Sequence, residues 1–80
     1  DSSIIMPHIP SLTARQIIRA LKKAGFIEHR QKGSHLVLIN PHTKARTVVP
    51  VHPGKDLKKS LVRAIINDSQ LTVGDFLKLL

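Results

Sequence analysis

The chain has 80 residues, no cysteine, and 13 Lys and Arg against five Asp and Glu, a formal net charge of +8. That length is one domain, near the lower limit at which a hydrophobic core holds without staples. The missing cysteines exclude disulfides and thiolate metal sites and fit a reducing compartment such as the cytoplasm. No apolar run approaches the ~20 residues that span a bilayer, so a membrane is not an expected partner.

The charge is unevenly placed. Twelve of the 13 basic residues lie between Arg15 and Arg63, where only Glu28 and Asp56 oppose them, a local net of +10. Such a field favours a polyanion, nucleic acid foremost. Two Phe and no Trp or Tyr argue against recognition by stacking bases on aromatics. Phosphate contacts, shape and hydrogen bonds remain.

Residues 1–10 read as a tail, with Met6 a candidate start, and residues 11–80 as a single domain. Leu12 to Ala24 is an amphipathic helix. Thr13 and Gln16 form a capping box, Leu12 and Ile17 stand at staple spacing, and Ile17, Leu21 and Ala24 make the apolar stripe with Ile18 beside it. Arg15, Arg19, Lys22 and Lys23 occupy its outer surface. Gly25 then ends the helix as a left-handed cap, with Phe26 folding back.

Phe26 to Gln31 reads as a charged edge strand. After the turn at Gly33, His35 to Asn40 reads as the central strand, with His35, Val37 and Ile39 on one face and Leu36 and Leu38 on the other. Both faces are apolar, so each needs a cover, from this chain or from another protein. Asn40 to Lys44 is a turn by composition. Arg46 to His52 is the third strand, ended by Pro53-Gly54. With the first turn centred on Lys32-Gly33 and the second near Thr43-Lys44, His35 stands opposite Arg30 and close to Val51 or His52. Directly opposed residues share a face, so Arg30, His35 and His52 converge at one end of the sheet.

Leu57 to Asp68 is the second main helix, with Leu57, Leu61, Ala64 and Ile65 as its stripe, flanked by Val62 and Ile66, and Asp56 or Ser60 as its cap. A tight turn through Lys55 to Lys59 before a helix from Ser60 fits equally. Lys55, Lys58, Lys59 and Arg63 load its first half with cations against the helix dipole, an arrangement suited to a phosphate or simply to solvent. Thr72 and Asp75 cap a last short helix, with Leu71 and Phe76 as its staple. The fold class is therefore α+β, in the order α-β-β-β-α of a double-stranded RNA-binding domain: a three-stranded antiparallel sheet, helices on one face, and a short extra C-terminal helix.

The motifs narrow the reading. Leu21-Lys22-Lys23-Ala24-Gly25-Phe26, Lys32-Gly33-Ser34-His35, Val49-Pro50-Val51-His52 and Leu57 to Ile65 together resemble the HicA toxins of toxin–antitoxin pairs, along nearly the whole length from Leu12 to Leu80. Ser60 departs from the glycine common in that family. The resemblance implies a metal-independent endoribonuclease that cleaves messenger RNA and arrests translation, neutralised by a HicB-like antitoxin. It implies that His35 is the catalytic residue, in a turn shaped by Gly33 and Ser34.

The chemistry is compatible. RNA carries its own nucleophile in the 2′-hydroxyl, and a histidine can take that proton. Arg30, Lys32, Lys55, Lys58, Lys59 and Arg63 are the candidate RNA contacts, through charge-assisted hydrogen bonds to phosphate. His52 is a candidate auxiliary acid. His29, His35, His42 and His52 lack metal-ligand spacing, so neither a metal nor another cofactor is expected. Two other classes remain open. One is a non-catalytic module binding structured RNA through the basic helix faces, and the other is a protein-interaction domain using the second apolar sheet face.

Overall fold

A computed structural model describes residues 9–80. The tail assigned to residues 1–10 lies outside them except for Ile9 and Pro10. Ile9 is only 4% exposed and belongs to the core, so the folded part begins before residue 11. The elements run β1 (Leu12–Thr13), α1 (Ala14–Lys23), β2 (Ile27–Lys32), β3 (His35–Ile39), β4 (Arg46–Pro50), β5 (Asp56–Leu57), α2 (Lys59–Asp68) and α3 (Val73–Lys78).

β2, β3 and β4 form an antiparallel sheet in that order, and the expected α-β-β-β-α succession stands, with α3 appended. α1 and α2 both pack on β4, and α3 packs on α2. Between helices and sheet lies one core, in which Ile17, Leu21, Leu38, Val49, Val62, Ile65, Ile66 and Phe76 are the deepest apolar side chains. Alternation along β3 and β4 sends Leu36, Leu38, Thr47 and Val49 to that side. The Thr47 hydroxyl is buried there with no hydrogen-bond partner.

α1 starts and stops as its residues dictate. The Thr13 hydroxyl accepts from the Gln16 N–H, and the Gln16 side chain accepts from the Thr13 N–H at 2.9 Å. At the other end the Phe26 N–H donates to the Leu21 carbonyl and the Gly25 N–H to the Lys22 carbonyl. That pair of bonds is the Schellman motif, which turns the chain through a left-handed residue. Gly25 supplies it with φ +104°.

A short ribbon escapes the sequence pattern. β1 and β5 pair antiparallel, Leu12 opposite Leu57 and Thr13 opposite Asp56. Two residues per strand are too few to show a period of two. The pairing draws Asp56 and Leu57 out of the second helix. α2 is capped by Lys58, without a side-chain cap bond, and not by Asp56 or Ser60. Its buried face rotates accordingly to Val62, Ile65, Ile66 and Ser69, leaving Ala64 exposed. The Thr72 hydroxyl caps α3 by accepting from the Asp75 N–H at 3.0 Å.

Asn40 locks sheet to helix. Its side-chain carbonyl accepts from the His42 and Thr43 N–H groups, and its amide donates to the Ala24 carbonyl at the end of α1. It is 5% exposed. A Cβ on Gly25 would meet the Asn40 amide nitrogen at 3.4 Å, in a backbone conformation that L residues rarely adopt. Asn40→Ala and Gly25→Ala are each expected to cost about 1–2 kcal/mol, from unsatisfied backbone groups in the first and left-handed strain in the second. Urea denaturation checks this: the midpoint falls while the slope stays unchanged.

Candidate nucleic-acid interface

The face of the sheet turned away from the helices is organised by one turn. Gly33-Ser34 joins β2 to β3 as a two-residue loop, so Lys32 stands directly opposite His35. Gly33 has φ +60° while a Cβ there would meet nothing within 4 Å. The backbone angle requires the glycine; space does not. Glycine at the first central position of such a loop matches the twist of the flanking strands. The Gln31 side-chain amide donates to the Gly33 carbonyl at 3.1 Å, and the Ser34 carbonyl accepts from the Val51 N–H at 2.6 Å. The turn is thus held from its own strand and from the chain beyond β4.

This register corrects the expected one. The turn centre lies one residue later than Lys32-Gly33, which puts Lys32, not Arg30, opposite His35. On the other side Pro50 takes the place expected for Val51 or His52. The β3–β4 loop closes on itself through the Asn40 N–H and the Ala45 carbonyl at 2.9 Å, which pulls its centre earlier. His52 falls past the end of β4, in the loop leading to β5.

Three rungs of the ladder now face outward together. They are Lys32, His35 and Pro50; then Arg30, Val37 and Val48; then Ile27, Ile39 and Arg46. Arg30, Lys32, His35, Val37 and Arg46 line a shallow concavity of about 510 Å³. Three cations and an imidazole therefore surround an apolar floor at Val37. Arg46 is the residue missed at the sequence level. The parity of β4 carries the signal, but only once the loop centre is known.

The same face is kept free of its nearest carboxylate. Between Glu28 and Arg30 the pairing slips at a bulge, so Glu28 opposes Leu38 while Arg30 opposes Val37. Without the extra residue Glu28 would oppose Ile39 and point outward. With it, Glu28 turns toward the helices and pairs with Lys22 of α1. Both side chains are about half exposed, so this pair adds little stability and its effect is on where the charge sits.

The other predicted contacts lie elsewhere. Lys55 is in the turn before β5, Lys58 caps α2, and Lys59 and Arg63 are on α2, all of them exposed. They belong to the helical layer, as do Arg15, Arg19, Lys22 and Lys23 on the outside of α1. Among the described residues no group of three or more His, Cys, Asp or Glu is placed to hold a metal ion. No helix among them is long and apolar enough to cross a membrane.

An α+β layer of helices on one side of a small antiparallel sheet, in the order α-β-β-β-α, defines a protein of the double-stranded RNA-binding-domain type. The family model of the HicA toxin of bacterial toxin–antitoxin systems matches residues 14–71. The chain belongs to the HicA toxin family. A comparison with curated proteins gives no match.

The turn generates one expectation. Gly33→Ala costs about 1–2 kcal/mol through the left-handed backbone and displaces the His35 amide resonance. Ser34→Ala does neither, because the bond to the Val51 N–H is made by the Ser34 backbone carbonyl and not by its hydroxyl. Thermal unfolding and an ¹H–¹⁵N spectrum of each variant check both halves.

Proposed function

We propose that this toxin is a metal-independent endoribonuclease that cleaves messenger RNA on the outer sheet face, with His35 as its catalytic residue. The observation that carries the reading is the concavity in which His35 meets Arg30, Lys32 and Arg46. His35 takes the proton of a 2′-hydroxyl, and that oxygen attacks the adjacent phosphorus. The P–O5′ bond breaks as O5′ takes a proton from water, leaving a 2′,3′-cyclic phosphate on one fragment and a 5′-hydroxyl on the other. Lys32, directly across the ladder, and the two arginines bind the nonbridging oxygens as negative charge builds on them. Gly33 and Ser34 hold the turn that presents the imidazole. A cytoplasmic location follows from a messenger RNA substrate.

The inhibitor fits the same surface. Ile27 is 51% exposed and Val48 37% exposed, beside the basic rim. A HicB-like antitoxin that lays an apolar patch on Ile27 and Val48, with carboxylates toward Arg30, Lys32 and Arg46, covers His35 and excludes RNA together.

A second reading keeps binding without turnover. Lys55, Lys58, Lys59 and Arg63 with the basic outside of α1 form a separate cationic surface on the helical layer, suited to structured RNA. The two readings part on His35→Ala. Wild-type protein in EDTA is expected to cleave a labelled messenger RNA to cyclic-phosphate ends. His35→Ala is expected to lose about 10²–10⁴-fold in rate with little change in RNA affinity. Wild-type cleavage that needs a divalent ion, or fragments ending in a 3′-hydroxyl, would remove the mechanism. RNA bound by both proteins and cut by neither would favour the binding module.

Arg46 gives an independent check. Arg46→Ala is expected to weaken RNA binding uniformly across sequences and to lower the salt slope of log K by about one. Titrations at several salt concentrations measure it.

A further inference from the structure

Beyond β4 the chain builds a second cavity, of about 530 Å³, between the first turn of α1 and the loop that carries His52. Ala14, Ile18, Val51 and Pro53 give it apolar walls, and Arg15 and His52, both exposed, stand among its lining residues. No carboxylate among the described residues lines it. From this cavity we infer a seat for one nucleobase of the bound RNA, adjoining the site of cleavage. The inference rests on the ribonuclease reading above and adds to it a basis for sequence preference.

Three observations carry it. The first is continuity with the outer face. Pro50 stands opposite His35, and the next residue, Val51, both lines the cavity and donates its N–H to the Ser34 carbonyl. An RNA strand whose phosphate lies at His35 therefore passes Val51, one wall of the cavity, at the end of the sheet. The second is chemistry. A base has apolar faces and a hydrogen-bonding edge, and it stacks on imidazole and guanidinium planes as well as on larger aromatics. Ala14, Ile18, Val51 and Pro53 suit the faces, while Arg15 and His52 supply planes and donors. The third is the composition of the rest of the molecule. The chain has no Trp or Tyr, and both phenylalanines, Phe26 and Phe76, are buried in the core. An unpaired base has no Phe, Tyr or Trp platform on the described surface, so a preformed apolar cavity flanked by an imidazole is where it is best accommodated. His52 then acts as a specificity residue and not as the acid partner of His35.

The test has two readouts. In the first, fragments from a randomised RNA are end-mapped for wild type, for Ile18→Lys, and for Arg15→Ala combined with His52→Ala at two exposed positions. Wild type is expected to favour one base at a fixed offset from the cut by at least tenfold. Both variants are expected to flatten that ratio below threefold, by slowing the favoured sites far more than the disfavoured ones. In the second, His35→Ala protein is titrated with the four 5′-nucleoside monophosphates, and the Ile18 methyl and Val51 amide resonances are followed. One nucleotide is expected to shift them, and the double variant to abolish the shift. If wild type cuts RNA but the ratio survives in both variants, or all sites slow in parallel, the base seat is overturned while the nuclease stands. If the variants instead lose only antitoxin binding, the cavity serves a protein and the inference likewise falls. If no protein cleaves but the nucleotide shifts appear, the nuclease reading falls and the base seat remains.

Discussion

The hydrogen bond from the Val51 N–H to the Ser34 carbonyl, 2.6 Å long, closes the sheet one residue beyond the Pro50–His35 pair. Much of the outer face depends on it and on the two-residue turn it steadies. A strand has a period of two, so the turn position decides the neighbour of His35, and the two-residue loop length decides which residues of β2 share its face. With Gly33-Ser34 as the loop, Leu36 and Leu38 go to the core while His35 and Val37 go outward beside Lys32 and Arg30. A loop one residue longer, with β3 unchanged, would reverse the parity of β2 and turn Arg30 toward α1 and α2. The hydrophobic core and the basic concavity are two consequences of a single register.

That coupling explains what the sequence reveals and what it withholds. α1 is legible because its signals are local: Thr13, Gln16 and Gly25 each act within four residues, and the expected cap bonds are all present. The alternation in β3 and the glycine turn before His35 are local too, and so is the hydroxyl cap of α3. The β1–β5 ribbon pairs Leu12 with Leu57, 45 positions apart, through only four residues. No periodicity signals it, and α2 consequently starts later, with a rotated buried face. The gathering of Arg46 with His35 depends on where the Asn40–Ala45 loop closes, and that depends on an asparagine side chain bonded to the far end of α1. Composition marks such a loop without giving its centre.

The basic charge also divides in a way the linear sequence conceals. Counted along the chain, the residues from Arg15 to Arg63 form one cationic block. In the fold they separate by layer: Arg30, Lys32 and Arg46 on the open face of the sheet, and the cations of α1 and α2 on the helical side. Two surfaces of one sign on opposite layers cannot both touch a single short stretch of backbone. Long-range attraction of a polyanion draws on the whole field, while contact chemistry draws on the few cations that share a concavity. The sheet face is the one that combines its cations with a histidine and an apolar floor.

The bulge at His29 shows how closely this division is kept. β2 runs Ile27, Glu28, His29, Arg30, and strict alternation from the Lys32–His35 pair would aim Glu28 outward opposite Ile39. Its carboxylate would then stand on the same rung as Arg46 and compete with any anion for it. One unpaired residue reverses the parity of everything before it. Ile27 moves to the outer face, and Glu28 swings to the helical side to meet Lys22. A bulge disrupts the ladder locally and twists the strand, a cost borne at an edge where it also discourages pairing with another sheet. An exchange of carboxylate for isoleucine at that position makes the face both more positive and more apolar, the combination needed by a surface that binds RNA and is covered by a protein.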